Sequence, residues 1–367
     1  MVNGTKPLSE KENTIQEFTV MFWNSKVIIE KEAIPLGLIS TEVLNYPDEK
    51  LSELQALSAS ALEFICDELY NPNTKKDIIF ANRVQDKLNE VLDCIFELPL
   101  FNRLNLDLDL AKSLIPTTFN RFPEEFEQLI KPKTLENQIF TEYLFKLGYL
   151  PEELHSFKTY VSVLLDFYFE RLKLRNSQYY AIGLYDFFGN TQLQQEIAAS
   201  LPPSPFQIFH QTCGAMIEFT TMPNPDNIKD YIIAERTVFN RLGEFLHVDF
   251  FRGLMHGHTP RRCKNCGNFF LLSDGYSTIY CNQIAPGETT KTCQKVGAHR
   301  TAARGENKTP ERKLYDLVYN RLKARHQRKT LSDDEWNKAV AQAWEYKEQA
   351  ESGKLQYYEL EELYKKM

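Results

Sequence analysis

Four cysteines, Cys263, Cys266, Cys281 and Cys293, stand in a C-x2-C-x14-C-x11-C pattern in one short stretch of the chain. No other feature constrains the fold as tightly. Two intervening residues let both sulfurs of a tight turn face one metal ion, and Gly267 follows directly, where a positive φ lets backbone N–H groups point at the thiolates. Pro260–Arg262 and Asn268–Leu272 read as two strands closing over that turn. Ser273-Asp274-Gly275 makes the next turn, Thr278–Tyr280 is expected to return as a strand carrying Cys281, and Cys293 opens a helix over Gln294–Arg304. A knuckle, a hairpin and a helix that brings the last ligand describe a treble-clef-like or ribbon-like finger.

Four thiolates imply a closed structural site for one Zn²⁺. An iron–sulfur cluster, or a set of reduced thiols without a metal, are the alternatives the spacing leaves. The second pair is wide, and Pro286 and Gly287 between Cys281 and Cys293 allow the chain to loop back. His256, His258 and His299 lie nearby as rival ligands; His299 is expected at the surface of the helix, and His256 and His258 in the lead-in loop. A catalytic zinc would need three protein ligands, an open position and a general base, which a full set of four thiolates argues against.

Three further cysteines, Cys66, Cys94 and Cys213, sit in apolar contexts and read as small core residues. The N-terminus has no apolar h-region, and no run approaches the roughly 18 apolar residues of a membrane span. The longest apolar patches, Tyr160–Phe169 and Tyr179–Phe188, are interrupted by Asp166 and Asp186 and read as buried helices. A cytoplasmic protein with reduced thiols and no membrane partner is expected. With 43% hydrophobic and 25% charged residues over 367 positions, the chain has ordinary globular composition and can bury a sizeable core.

A net charge of -7 would by itself argue against nucleic acid, but the charge is split along the chain. Arg261–Lys329 holds 15 Lys and Arg against 5 Asp and Glu, a net of +10, and the remainder carries -17.

Periodicity predicts a mainly α chain. Phe18–Glu30 is rich in β-branched and aromatic residues, so short strands are expected within 18–40. From Asp48 the pattern turns helical: Leu54, Leu57, Ala61, Leu62, Ile65 and Leu69 form an apolar stripe. Similar periodicity recurs at Ile78–Phe96, Pro123–Ile130, Leu135–Leu147 and Pro151–Leu174, with Pro151 read as a first-turn residue. Gln178–Leu201 reads as a helix pair broken at Gly189, Ala215–Met222 as a short strand, and Asp226–Leu246 as a helix with Tyr231, Ala234, Val238, Leu242 and Phe245 on one face. Thr309 and Pro310 start a basic helix, and Ser332 with Glu335 caps an acidic one. Three regions follow: a helical acidic domain over 1–250, the four-cysteine zinc-finger module over 251–305, and C-terminal helices over 306–367, basic and then acidic. No GxGxxG, P-loop, GxSxG or HExxH appears.

The run RRCKNCGNFF…YC…C-x3-G-x-HR resembles the CGNR-type zinc fingers of bacterial regulators. It is more similar still to an uncharacterised group of bacterial proteins with a helical N-terminal region and a C-terminal four-cysteine element. In CGNR fingers Gly-Asn-Arg follows the fourth cysteine, whereas here Cys293 is followed by Gln294-Lys-Val-Gly-Ala-His-Arg300, so the namesake tetrad is absent. The resemblance covers about 45 residues, and it implies DNA binding by analogy. Gln294, Lys295, His299 and Arg300 fall where such fingers are thought to meet DNA. With Arg261, Arg262, Arg304, Arg321, Lys323 and Arg325 they form the expected phosphate-binding set. The first reading is a double-stranded-DNA-binding regulator with a structural Zn²⁺, its N-terminal domain sensing a ligand or mediating self-association. The alternatives are a protein-interaction component of a defence or toxin–antitoxin system with zinc as a staple, and an enzyme whose site lies in the helical domain. No catalytic residue is identified. A basic face docking on the chain's own acidic body is the other outcome for the charged stretch.

Overall fold

The computed structural model describes residues 13–15, 17–29, 32–75, 78–109, 111–112, 131–201, 214–273, 278–304 and 308–367. They group into two compact units: residues 1–263 with 267–279, and residues 264–266 with 280–367.

In the larger unit the expectation of a mainly α chain is overturned. β1 (Phe18–Trp23), β2 (Lys26–Ile29) and β3 (Glu32–Pro35) form a meander that joins β4 (Met216–Asn224) and β5 (Asn227–Phe239) in an antiparallel sheet of order β3-β2-β1-β5-β4. β1 alternates as a half-buried strand should, with Phe18, Val20 and Phe22 inward. β5 replaces most of the helix expected over Asp226–Leu246. Tyr231, Ala234 and Val238 fall at spacings of three and four by coincidence. Ile228, Ile232, Ile233, Thr237 and Val238 are β-branched and favour extended backbone. The two-residue turn Pro225-Asp226 then lays β5 on β4, Pro223 opposite Tyr231, and its far end pairs with β1, Phe239 opposite Phe18. The helix begins only at Leu242.

The helices α1 (Leu38–Leu44), α2 (Asp48–Tyr70), α3 (Ile78–Phe96), α4 (Pro99–Arg103), α5 (Leu135–Val163), α6 (Ser177–Gly189), α7 (Thr191–Ser200) and α8 (Leu242–Met255) share one buried apolar cluster with β1–β3 and Phe239, while much of β4 and β5 stays exposed. Pro151 does not start a helix; it lies inside α5. Proline has no N–H, so the Leu147 carbonyl one turn back loses its partner. The Ser58 hydroxyl of α2 donates to that carbonyl at 2.9 Å, and the helix runs on. It ends in a π turn at Leu164–Tyr168 and a 3-10 turn at Phe169–Arg171. Cys66 faces solvent on α2 and is not the core residue expected, whereas Cys94 is half-buried and packs against the core. Pro123–Ile130 and Cys213 lie outside the described residues.

A buried carboxylate ties the two ends of this unit together. Asp249 of α8 accepts from the Gly37 N–H at 2.9 Å, the Ser40 N–H at 3.0 Å and the Ser40 hydroxyl at 2.6 Å, holding the start of α1. Next along the chain, β6 (Thr259–Arg262) and β7 (Phe269–Leu272) form a hairpin in register Arg262 to Phe269. Asn45 clamps it, its Nδ2 donating to the Phe269 carbonyl at 2.8 Å and its Oδ1 accepting from the Phe269 N–H at 2.7 Å.

The smaller unit carries α9 (Cys293–Arg304), α10 (Pro310–Gln327), α11 (Asp333–Glu351) and α12 (Tyr357–Lys365). Tyr315, Val318 and Leu322 of α10 are buried, as are Trp336, Val340 and Ala343 of α11 and Leu360 and Tyr364 of α12. Thr309 caps α10 ahead of Pro310, and Ser332 with Glu335 forms the capping box of α11. Among the described residues no helix is long and apolar enough to cross a membrane.

Candidate metal centre

The four cysteines converge: the Sγ atoms of Cys263, Cys266, Cys281 and Cys293 all lie within 4.8 Å of one another. The first pair is held by a knuckle at the end of β6. Cys263 donates its N–H to the Asn268 carbonyl at 2.8 Å, and the Gly267 N–H closes the turn on the Cys263 carbonyl at 2.9 Å. Gly267 has φ of 83°, a conformation that a residue with a Cβ adopts at a cost.

The wide second pair is closed by a small hairpin. Ala285-Pro286-Gly287-Glu288 is a β-turn with the Glu288 N–H on the Ala285 carbonyl at 3.0 Å. Proline at its second position and glycine at φ 79° at its third are what a type II turn requires. Ala285 N–H to Lys291 carbonyl at 2.9 Å and Cys293 N–H to Gln283 carbonyl at 2.8 Å then zip the loop. This brings the first turn of α9 to Cys281, whose carbonyl accepts from the Gln294 N–H at 3.0 Å. The expected strand over Thr278–Tyr280 is irregular chain, and Asp274-Gly275 lie outside the described residues.

The donor set suits a thiophilic metal. A tetrahedron with metal–sulfur bonds of about 2.3 Å has edges of about 3.8 Å, and Cys266 Sγ stands 3.7 Å from Cys281 Sγ. Cys263, Cys281 and Cys293 are buried and Cys266 partly so. The Asn265 amide donates to Cys293 Sγ at 3.3 Å. Among the described residues no histidine or carboxylate joins the group. His258 is buried, with Nδ1 2.9 Å from the Leu36 carbonyl. Burial, with His258 and Arg252 adding repulsion, holds the His256 imidazole below its ordinary pKa.

The basic residues singled out from the sequence divide. Arg261 is buried, donating to the Thr278 carbonyl at 2.9 Å and to Glu170 at 3.4 Å. Arg262 grips Asp166 through Nε at 3.1 Å and Nη2 at 2.8 Å, donates to the Gly267 carbonyl at 3.1 Å, and stacks on Phe269 at 4.2 Å. Arg321 donates to the Tyr364 carbonyl and Arg325 to the Met367 carbonyl at 2.7 Å, so both serve the C-terminal end of α12. Lys323 is half-buried on α10, and Gln294 and Lys295 are exposed on the first turn of α9. α9 also holds His299, Arg300 and Arg304, whose side chains lie outside the described residues. The partners Asp166 and Glu170 had no local signal in the sequence: they stand 96 and 91 positions from the arginines they bind.

No curated protein and no solved structure matches the chain. Residues 210–367, which contain all four cysteines, match a family described as a family of unknown function, DUF6076; the resemblance to CGNR-type fingers has no counterpart in that match.

Proposed function

We propose that the four thiolates hold one structural Zn²⁺ and that the smaller unit is a nucleic-acid-binding element, double-stranded DNA being the partner. One observation carries the second half. The smaller unit holds 18 Lys and Arg against 13 Asp and Glu, a net of +5 in a chain of net -7. Part of this charge is displayed on one face of α10, where Lys313, Leu317, Asn320, Arg321 and Arg328 are exposed. Lys291 and Lys295 are exposed as well. Zinc has no chemical step to perform in this reading; it keeps the thiolate-bearing loops folded.

The test uses the full-length protein and a labelled mixed-sequence DNA duplex. For about four phosphate contacts, affinity falls roughly a hundredfold between about 50 and 200 mM salt. A combined Lys295→Glu, Lys313→Glu, Arg328→Glu variant that folds normally yet binds as tightly as the parent would overturn the DNA reading. Metal analysis tests the other half: one zinc per chain is expected, and its loss in Cys281→Ser. Zinc content well below one equivalent sinks the metal assignment.

A second reading, a protein-interaction component with zinc as a staple, is favoured by the β4–β5 hairpin. Ile217, Phe219, Tyr231 and Ile233 share one face of it and are all exposed. Absent DNA binding, together with partner capture that Phe219→Ser and Ile233→Ser abolish, would favour this reading.

A further inference from the structure

The larger unit contains a cavity of about 270 Å³ that neither the metal centre nor the basic face uses. It lies between the start of β1, one face of α5 and the junction of β5 with α8. Its walls are apolar and aromatic: Phe18, Phe101, Leu106, Tyr149, Leu150 and Leu242. Protein interiors close-pack, so an apolar hollow of this size forfeits dispersion contacts that its lining would otherwise make. Its volume lies just below the range of about 300–1,000 Å³ for pockets that take drug-sized molecules, so a compact ligand fits.

The polar groups are few and concentrated. Glu153 is buried, and its valences are used: Arg241 Nε donates to it at 2.7 Å and the Gly243 N–H at 2.8 Å. Arg241, itself a lining residue, is paired with Glu153, which leaves Glu142 and Lys146, one turn apart on α5, as the remaining charged lining groups. Arg241 is the second cation at the cavity, and the Lys146 ammonium feels the carboxylates of Glu142, Glu17, Glu244 and Glu153. Burial lowers the Lys146 pKa against their pull. Lys146 and Arg241 thus stand against Glu142, Glu153, Glu17 and Glu244, so negative charge exceeds positive around the aromatic floor. A ligand carboxylate would meet those glutamates, whereas a ligand cation would gain from them and from the ring faces.

We propose that this cavity binds a small organic amine, its apolar body among Phe18, Phe101 and Tyr149 and its ammonium at Glu142. The site is independent of the zinc and DNA reading and stands if that reading falls.

Phenethylamine and its carboxylate counterpart 3-phenylpropanoate are the probes, titrated calorimetrically into the full-length protein. Phenethylamine should bind and 3-phenylpropanoate bind more weakly or not at all. Glu142 is exposed, so its substitution leaves the core intact. Glu142→Gln should weaken the amine about three- to tenfold, and Glu142→Lys should reverse the preference between the two probes. Leu106→Trp, which fills the cavity, should abolish binding of both. Binding of neither probe to the parent protein, tighter binding of the carboxylate, or an amine affinity that Glu142→Lys leaves unchanged would overturn the proposal.

Discussion

Asp249 shows how much one side chain can hold. Its carboxyl receives two backbone N–H groups and a hydroxyl from the start of α1. Burial nevertheless pushes its pKa above the ordinary carboxylate value. The protonated form is accommodated because the Ser40 hydroxyl also reaches the Leu246 carbonyl, at 3.1 Å. A carboxyl Oδ2–H can then donate to Ser40 Oγ while Ser40 donates onward. A group whose folded pKa is raised binds its proton more tightly folded than unfolded. Its contribution to stability is therefore greatest below about pH 4, the unfolded value, and declines as pH rises through the folded one. Asp249→Asn removes that titration. In urea unfolding followed from about pH 4 to 7, the stability difference should move in the variant's favour as pH increases. A constant offset across the range would show that Asp249 is ionised throughout.

The β6–β7 hairpin, which carries the first cysteine pair, is held by one asparagine. Asn45→Ala leaves both the N–H and the carbonyl of Phe269 without their partner, which should cost about 2–3 kcal/mol in chemical denaturation. A loss under about 0.5 kcal/mol would mean that water replaces the amide. The elements that were legible in the sequence share a property: their signals are local. Thr309 with Pro310, Ser332 with Glu335, and Pro286 with Gly287 each complete their hydrogen bonds within four residues, as does the knuckle at Gly267. The elements misread were decided by distant partners. β5 takes its form from β1 and β4 against a helical spacing of apolar residues. Pro151 stays inside α5 because Ser58, on another helix, supplies the missing donor. The clustering of the four cysteines was readable from spacing, whereas the engagement of Arg261 and Arg262 with Glu170 and Asp166 was not.

At the scale of the whole molecule, two compact units predict two unfolding transitions. Cys266, Cys281 and Cys293 belong to the smaller one. Chelation by EDTA should therefore lower the transition of that unit and leave the α10–α12 signal to melt with less cooperativity, as read by calorimetry with and without added zinc. A chelator that moves neither transition would mean the cluster folds without a metal. The larger unit poses a different problem, one of order in time. Its sheet is closed through the pairing of β1 with β5, Phe18 to Phe239. A chain leaving the ribosome presents the β1–β3 meander first, with the outer edge of β1 unpaired until β5 has been synthesised. The aromatic contact among Phe18, Phe239 and Phe245 can form only then. Folding of this unit is thus late and of high contact order, and the nascent meander is the part most in need of a chaperone.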